Sequence, residues 1–239
     1  MDRSYAGSLN ILGITPEGVE RRLDACGVSL TEVDYISGAY GTILRSSTTG
    51  REAENLKLVE RCCAPFIARG DMNPAGLTVQ SALRAGIMLA FAESCTGGLA
   101  GSMVTGIAGS SDVFWGSMVT YANDAKERVL GVSSIPDHGA VSEETVGAMA
   151  EGAIKLSGAD AALAVSGIAG PGGGTPDKPV GTVWFAFRYR EKMQTLKCVF
   201  SGKRGQVRRK AAAVALAGLA NQIDGALLDT EWIADYTCY

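Results

Sequence analysis

Several hydroxyl side chains and one lysine occupy turn-forming positions between apolar stretches in residues 92–126. They are Ser94, Thr96, Ser110, Ser111, Tyr121 and Lys126. A packed core does not need these residue types at such places, but nucleophilic chemistry does, because a serine hydroxyl is inert near neutral pH until a base takes its proton. A lysine can be that base where burial or a neighbouring cation lowers its pKa, although a lone lysine early in a helix is more often a surface charge. The segment predicts a serine–lysine active site with tyrosine as a proton relay.

Two nucleotide-binding patterns do not fit this chain. The triad of short-chain dehydrogenases has three residues between tyrosine and lysine, whereas four separate Tyr121 from Lys126, and no G-x-G-x-x-G opens a helix. The glycine-rich residues 167–176 are not followed by Gly-Lys-Ser/Thr, so they are not a Walker A loop.

Three other segments could bind a substrate. Residues 93–98 join a strand to a helix. The free backbone N–H groups there, with the adjacent Gly97 and Gly98, could bind a ligand. Alternatively, Ser94 or Thr96 only caps the helix. The glycine loop 167–176, with Gly170 and Gly172, could wrap a phosphate or be a surface connection. Arg204, at the start of the last helix, could hold a phosphate or lie in a solvated basic turn.

Composition sets the broad class. A chain of 239 residues with 46% hydrophobic and 20% charged residues is typical of a soluble globular protein, and the net charge of −3 gives no overall footprint for nucleic acid. No apolar run suits a membrane span or signal peptide, which predicts a cytoplasmic location without a membrane partner. Six cysteines without C-x-x-C spacing, and the single His138 in a predicted loop, predict free thiols and no metal site.

The predicted elements form two parts. Residues 1–74 indicate a small α+β domain of KH type with the order β-α-β-β-α, in which residues 51–68 form the second helix. Residues 75–225 alternate strands and helices, including helices beginning at Thr96 and at Gln206, and end in a hairpin and a long helix; residues 226–239 are a tail. This order predicts an α/β fold, a three-layer α/β/α sandwich with a mixed, mainly parallel sheet. Ligands bind such sheets at the carboxyl ends of strands, where Ser94, Tyr121 and Ser166 would converge.

Six motifs in the second part carry a family resemblance. In chain order they are AESCTGGL, AGSS, VTYANDAK, HGAVSEETV, VSGIAGPGGGTPDKPVGTVWFAF and SGKRGQVRR. Together they resemble the C-terminal domain of CinA, the competence/damage-inducible protein, which also occurs alone as the nicotinamide-nucleotide amidase PncC. The resemblance covers residues 77–223. It implies an α/β/α sandwich similar to anticodon-binding domains and a homodimer or higher homo-oligomer. It also implies hydrolysis of nicotinamide mononucleotide to nicotinic acid mononucleotide and ammonia, without cofactor or metal.

The resemblance also implies roles for individual residues. It makes Ser111 the nucleophile beside Tyr121 and Lys126, and it assigns substrate contacts to Ser94, Ser166 and Arg204. Residues 1–74 resemble the linker domain of full-length CinA in element order. The molybdopterin-binding-like domain of full-length CinA, associated with ADP-ribose hydrolysis, is missing, so we expect no such activity unless the chain is part of a longer protein.

Two other functional classes remain. A non-catalytic nucleotide-binding or regulatory module would keep the glycine loops and Arg204 but make Ser111 and Lys126 incidental. A nucleic-acid-binding protein would use a KH-like first part and the basic residues 203–210. However, the GXXG letters at residues 38–41 lie between predicted strands, whereas KH domains place them between helices, so we expect a small nucleotide as the partner and not a nucleic acid.

Overall fold

The computed structural model describes residues 7–12, 15–30, 33–38, 41–46, 52–63, 67–69 and 73–225. These residues divide into two compact units, one before and one after the boundary between Pro74 and Ala75. The predicted tail, residues 226–239, lies outside the described residues.

The first unit is built on a four-stranded antiparallel sheet with the strand order β2-β3-β1-β4. Its elements are β1 (Gly7–Leu12), α1 (Pro16–Ala25), β2 (Val33–Gly38), β3 (Gly41–Ser46), α2 (Glu52–Cys63) and β4 (Ile67–Arg69). Helix α1 begins at Pro16, because the Thr15 hydroxyl accepts a hydrogen bond from the Gly18 N–H at 3.1 Å and proline suits the first helical position.

The prediction of one helix over residues 51–68 was wrong at its end. Helix α2 stops at Cys63, and Ile67–Arg69 instead pair antiparallel with Leu9–Ile11 of β1. The reason lies in the tertiary structure. The edge of β1 offers backbone hydrogen bonds to this segment, and no local sequence pattern in residues 64–69 predicts that pairing. The described part of this unit is therefore β-α-β-β-α-β.

The second unit is an α/β sandwich around a five-stranded mixed sheet. Its elements are α3 (Pro74–Ala85), β5 (Leu89–Glu93), α4 (Leu99–Thr105), β6 (Phe114–Val119), α5 (Asn123–Leu130), α6 (Ile135–His138), α7 (Glu143–Ser157), β7 (Ala161–Gly167), β8 (Thr182–Tyr189), β9 (Lys192–Val199) and α8 (Arg204–Ile223). The strand order is β6-β5-β7-β8-β9. Strands β6, β5 and β7 run parallel, and β8 and β9 continue the sheet antiparallel. The predicted mixed sheet is confirmed.

Helices cover both faces of this sheet. Val146, Met149, Ala150 and Ala153 of α7 are buried in one cluster with Ala186 and other alanines of the central strands. On the next residue of β8, Phe187 packs against Gly218 of α8. Because successive strand side chains point to opposite faces, α7 and α8 lie on opposite sides of the sheet. The small alanine side chains leave room for α7 to approach the strands closely.

Two helix starts and one loop differ from the predictions. Helix α4 begins at Leu99 rather than Thr96, because Gly97 (φ 61°) and Gly98 (φ 88°) adopt left-handed conformations that cannot continue a right-handed helix. Helix α8 begins at Arg204, two residues earlier than predicted. His138 is the last residue of the short helix α6 rather than a loop residue, and its Nδ1 lies 3.4 Å from a carboxylate oxygen of Glu144.

Two further expectations concern the thiols and the membrane. The described cysteines are free, and Cys62, Cys63, Cys95 and Cys198 are buried as small apolar side chains, whereas Cys26 is exposed. Within the described ranges, none of the helices has both the length and the apolar character that crossing a bilayer requires.

Candidate active site

Three chain segments meet at the carboxyl ends of the parallel strands. The turn Ser94–Gly98 follows β5, residues 120–122 follow β6, and residues 166–171 end β7 and begin the glycine loop. Backbone hydrogen bonds join them, since the Thr120 N–H donates to Glu93 O and the Ser94 N–H donates to Val165 O, both at 2.9 Å. This edge of the sheet is therefore where the predicted side chains can act together.

A buried carboxylate fixes the start of α4 against this edge. Glu93 is fully buried, and its carboxylate accepts hydrogen bonds from the Ala100 N–H (3.1 Å), the Gly101 N–H (2.8 Å) and the Ser117 hydroxyl (2.8 Å). These partners belong to α4 and β6, so Glu93 holds a helix and two strands together. The sequence alone does not single out Glu93; the available signal is a carboxylate ending an otherwise apolar strand.

Lys126 is buried at the start of α5. Its side chain is 1% exposed, and its Nζ donates to Thr120 O at 2.9 Å and Tyr121 O at 3.1 Å. Burial lowers the pKa of Lys126, and no ion pair to it occurs among the residues that the structure describes. The two carbonyls accept two N–H bonds of the Lys126 side chain, and burial favours its neutral form over its charged form.

Tyr121 and Arg204 pair with each other. The Tyr121 ring is 58% exposed, and its hydroxyl oxygen accepts a hydrogen bond from Nη2 of Arg204 at 2.9 Å. Nη1 of the same guanidinium donates to Gly170 O at 2.9 Å. Arg204 thus connects the segment after β6 with the glycine loop after β7. The Tyr121 hydroxyl makes no hydrogen bond to Lys126 within the described part of the chain, and the proton relay stays a prediction.

Ser111 lies on a 3-10 turn, Ser110–Asp112, which follows Gly109 (φ 81°). Ser110 is buried, whereas Ser111 is exposed to solvent. Among the described residues, no hydrogen bond joins the Ser111 hydroxyl to Lys126 or Tyr121. Ser111 precedes the first residue of β6, whereas Tyr121 and Lys126 follow its last residue. The six residues of β6 span about 20 Å, so within one chain the structure places the predicted nucleophile and the predicted base at opposite edges of the sheet.

A second arginine, Arg208, binds the backbone of the turn Ser94–Gly98. Arg208 donates from Nε to Cys95 O at 3.2 Å and from Nη2 to Thr96 O at 2.6 Å. Thr96 is fully buried, and its hydroxyl has no hydrogen-bond partner among the described residues. The signal for Arg208 in the sequence is its spacing, since a residue four positions after Arg204 lies on the same helix face.

The remaining predicted residues have mixed surroundings. Ser94 is 7% exposed, and Ser166 is 1% exposed with its hydroxyl donating to Ala140 O at 2.6 Å, so in this structure Ser166 anchors the segment before α7. Gly170 is buried with φ 79°, whereas Gly172 is exposed with open space around its Cα. No described group of three or more His, Cys, Asp or Glu side chains is arranged to hold a metal ion.

Comparison with known proteins decides the family. Residues 73–223 match the family model of the CinA C-terminal domain. The chain belongs to this family. Its CinA domain is similar to nicotinamide-nucleotide amidohydrolase PncC of Escherichia coli K12, with 51% identity over 148 residues that cover 60% of this chain and 90% of the relative.

Other relatives extend beyond the CinA domain. A CinA-like protein of Geobacter sulfurreducens is 44% identical over 213 residues, which cover 86% of this chain and 51% of the relative. The chain spans between about a third and half of the length of the CinA-like relatives that it matches. The crystal structure of a competence damage-inducible protein A from Klebsiella pneumoniae has a TM-score of 0.60 and 39% identity, covering 64% of this chain and 98% of that chain.

Proposed function

We propose that this chain hydrolyses the carboxamide of nicotinamide mononucleotide, giving nicotinic acid mononucleotide and ammonia. The observation that carries the proposal is the buried Lys126, whose pKa is lowered by burial and whose two N–H bonds are accepted by backbone carbonyls. Burial that lowers the pKa of a lysine makes it a better candidate for a general base, which is the role proposed for Lys126. The similarity to PncC supports the choice of substrate.

The reaction would proceed through an acyl-enzyme on Ser111. Lys126 removes the proton of the Ser111 hydroxyl, and the oxygen attacks the carboxamide carbon to form a tetrahedral intermediate. Protonated Lys126 then gives its proton to the departing nitrogen, and ammonia leaves. A water molecule, deprotonated by Lys126, attacks the Ser111 ester, and the carboxylate product is released with the serine restored. Within one chain β6 lies between Ser111 and Lys126, so this transfer would need a second copy of the chain, which the expected homo-oligomer would supply.

Stabilisation of the oxyanion falls to backbone N–H groups. The Gly97 N–H already donates to Ser94 O at 3.0 Å, and the Ser110 N–H donates to Ile107 O at 3.2 Å, so the N–H of Gly109 itself is the donor that we assign to this role. One such donor typically contributes about 3 kcal/mol to the transition state. Arg204 and the glycine loop would hold the phosphate or ribose, because a guanidinium between two substrate-facing segments suits an anionic group.

A non-catalytic nucleotide-binding module is the second candidate. The observation that favours it is the absence, among the described residues, of a hydrogen bond between Ser111 and Lys126. Such a module would use Arg204 and the glycine loop for binding, while Lys126 would merely tie residues 120 and 121 to α5.

Ammonia release from nicotinamide mononucleotide separates the two candidates. We would compare wild type, Ser111→Ala and Lys126→Met, with Ser102→Ala as the control, because Ser102 is an exposed serine on α4. Amidase chemistry predicts release by wild type and by the control, and a loss of at least about a thousandfold in the two site variants. Wild-type release by Ser111→Ala would reject the Ser111 mechanism. Thermal stabilisation by the mononucleotide without any ammonia would favour the binding module.

A further inference from the structure

Arg208 makes an unusual use of its guanidinium, because both of its hydrogen bonds go to consecutive carbonyls of one turn. Nε binds Cys95 O and Nη2 binds Thr96 O, so the fork grips the middle of the turn Ser94–Gly98. The fit is close, since a Cβ placed on Gly97 would lie 3.3 Å from Nη2 of Arg208. A lysine can also donate to two consecutive carbonyls, as Lys126 does, but the guanidinium holds its donors in a rigid plane and so fixes the two acceptors in one geometry.

The two gripped carbonyls determine where the adjoining N–H groups point. In a trans peptide the C=O and the following N–H point in opposite directions. Binding of Cys95 O therefore turns the Thr96 N–H away from Arg208, and binding of Thr96 O turns the Gly97 N–H away, where it donates to Ser94 O. The Thr96 N–H has no acceptor among the described residues.

The Thr96 side chain provides independent support. It is fully buried, and its hydroxyl also has no hydrogen-bond partner among the described residues. A buried hydroxyl without a partner is costly, and proteins rarely keep one without a reason. Thr96 therefore offers two unused polar groups, an N–H and a hydroxyl, at the carboxyl end of a central parallel strand.

We propose that Arg208 is a positioning residue that fixes the turn Ser94–Gly98 so that the Thr96 N–H and hydroxyl bind the nucleotide substrate. This inference rests on the proposed function for its ligand. Arg208 does not itself touch the substrate; it acts through Thr96. Arg204 and Arg208, one turn apart on α8, thus organise the glycine loop and the turn Ser94–Gly98 respectively.

Binding of nicotinamide mononucleotide by calorimetry tests the ligand, in a Ser111→Ala background that prevents turnover. We expect Arg208→Gln to raise the Kd at least about tenfold and Arg208→Lys to restore only part of the affinity. The control is Arg209→Gln, because Arg209 is the next residue of α8, is exposed and makes no hydrogen bond to a described residue; its Kd should stay within about twofold. Equal effects of Arg208→Gln and Arg209→Gln would overturn the proposal.

A double-mutant cycle tests whether Arg208 acts through Thr96. If it does, Thr96→Val and Arg208→Gln together should weaken binding by much less than the product of their separate effects. Multiplicative effects would show that Arg208 acts independently of Thr96 and would overturn the positioning role.

Amide hydrogen exchange tests the positioning without any ligand. The reporter is the Gly97 N–H, which donates to Ser94 O within the turn. It should exchange at least about tenfold faster in Arg208→Gln than in Arg209→Gln. Unchanged exchange would overturn the positioning role whether or not the chain is an amidase. If wild type neither binds the mononucleotide nor releases ammonia, both the proposed function and the proposed ligand are rejected. The exchange rates would still decide whether Arg208 holds the turn.

Discussion

The guanidinium of Arg204 donates to the Tyr121 hydroxyl oxygen at 2.9 Å across 83 residues of sequence. The same group donates to Gly170 O at 2.9 Å, so one arginine at the start of α8 links the ends of two parallel strands. Tyr121 is therefore attached to Arg204 and the glycine loop by its hydroxyl, and to Lys126 only through its backbone carbonyl.

Tyr121→Phe separates these two attachments, because it removes the hydroxyl and keeps the backbone carbonyl. We expect KM to rise while kcat stays within about threefold, since Arg204 loses an orienting partner and Lys126 keeps both of its acceptors. The ring is largely exposed, so the free energy of unfolding should change by less than about 0.5 kcal/mol. A fall in kcat of about a hundredfold at unchanged KM would instead establish Tyr121 as the proton relay.

Because of Lys126, the free energy of unfolding should change with pH in the alkaline range. Its pKa is lowered in the folded state, so between that value and the unfolded value near 10.4 the unfolded chain binds more protons. The free energy of unfolding therefore rises with pH through this window, and the cost of burying the charge is fully present below it. Urea unfolding of wild type and Lys126→Met across this range should show the rise in wild type alone. Parallel curves would mean that the pKa of Lys126 is unchanged by folding.

The rate of ammonia release should also increase with pH as Lys126 loses its proton. Protonated Lys126 cannot accept a proton from Ser111, so kcat/KM should fall as the pH drops below the lowered pKa of Lys126. The measurement is ammonia release against pH at low substrate concentration. A profile that stays flat down to pH 5 would contradict Lys126 as the base.

Thr120 carries a buried hydroxyl beside Lys126 without a hydrogen-bond partner among the described residues. Thr120→Val keeps the shape and removes that hydroxyl, so the free energy of unfolding should rise by about 1 kcal/mol. The matched control is Thr182→Val, because Thr182 is equally buried but its hydroxyl donates to Pro179 O at 2.7 Å. The control should lose about 1 kcal/mol in urea unfolding. A loss in both variants would show that the Thr120 hydroxyl is hydrogen-bonded.

Gly101 sets how closely α4 approaches β6. A Cβ at this position would lie 2.8 Å from the Ser117 Cβ and 3.4 Å from a Glu93 carboxylate oxygen. Gly101→Ala should therefore lower the free energy of unfolding by about 1–3 kcal/mol. Gly147→Ala on α7 is the control, because its Cβ would meet only the Met193 sulfur, at 3.6 Å; it should be neutral or stabilising by up to about 1 kcal/mol. Equal unfolding midpoints would contradict the steric argument.

Sequence-based prediction succeeded where the signal is local. Helix starts carry such a local signal, since the Thr15 and Ser142 hydroxyls each accept a free N–H group of the first turn of their helix. The alternating and apolar runs of β7, β8 and β9 predicted a buried strand followed by a hairpin, as observed. Strand β4 was missed because its pairing with β1 depends on a partner more than fifty residues away.

By itself, the sequence of this protein determined the order of most of its elements, its family and the residue types that could do chemistry, because caps, periodicity and motifs are recognised within a few residues. Only the tertiary structure decided which of those residues meet. In the folded chain Lys126 is buried against two carbonyls, and Tyr121 pairs with Arg204. Glu93 and Arg208 also contact the site, although the sequence motifs that contain them did not identify them as site residues. The physical reason is that burial, and hydrogen bonds across more than eighty residues, arise from packing helices against a sheet and are not encoded in any short segment.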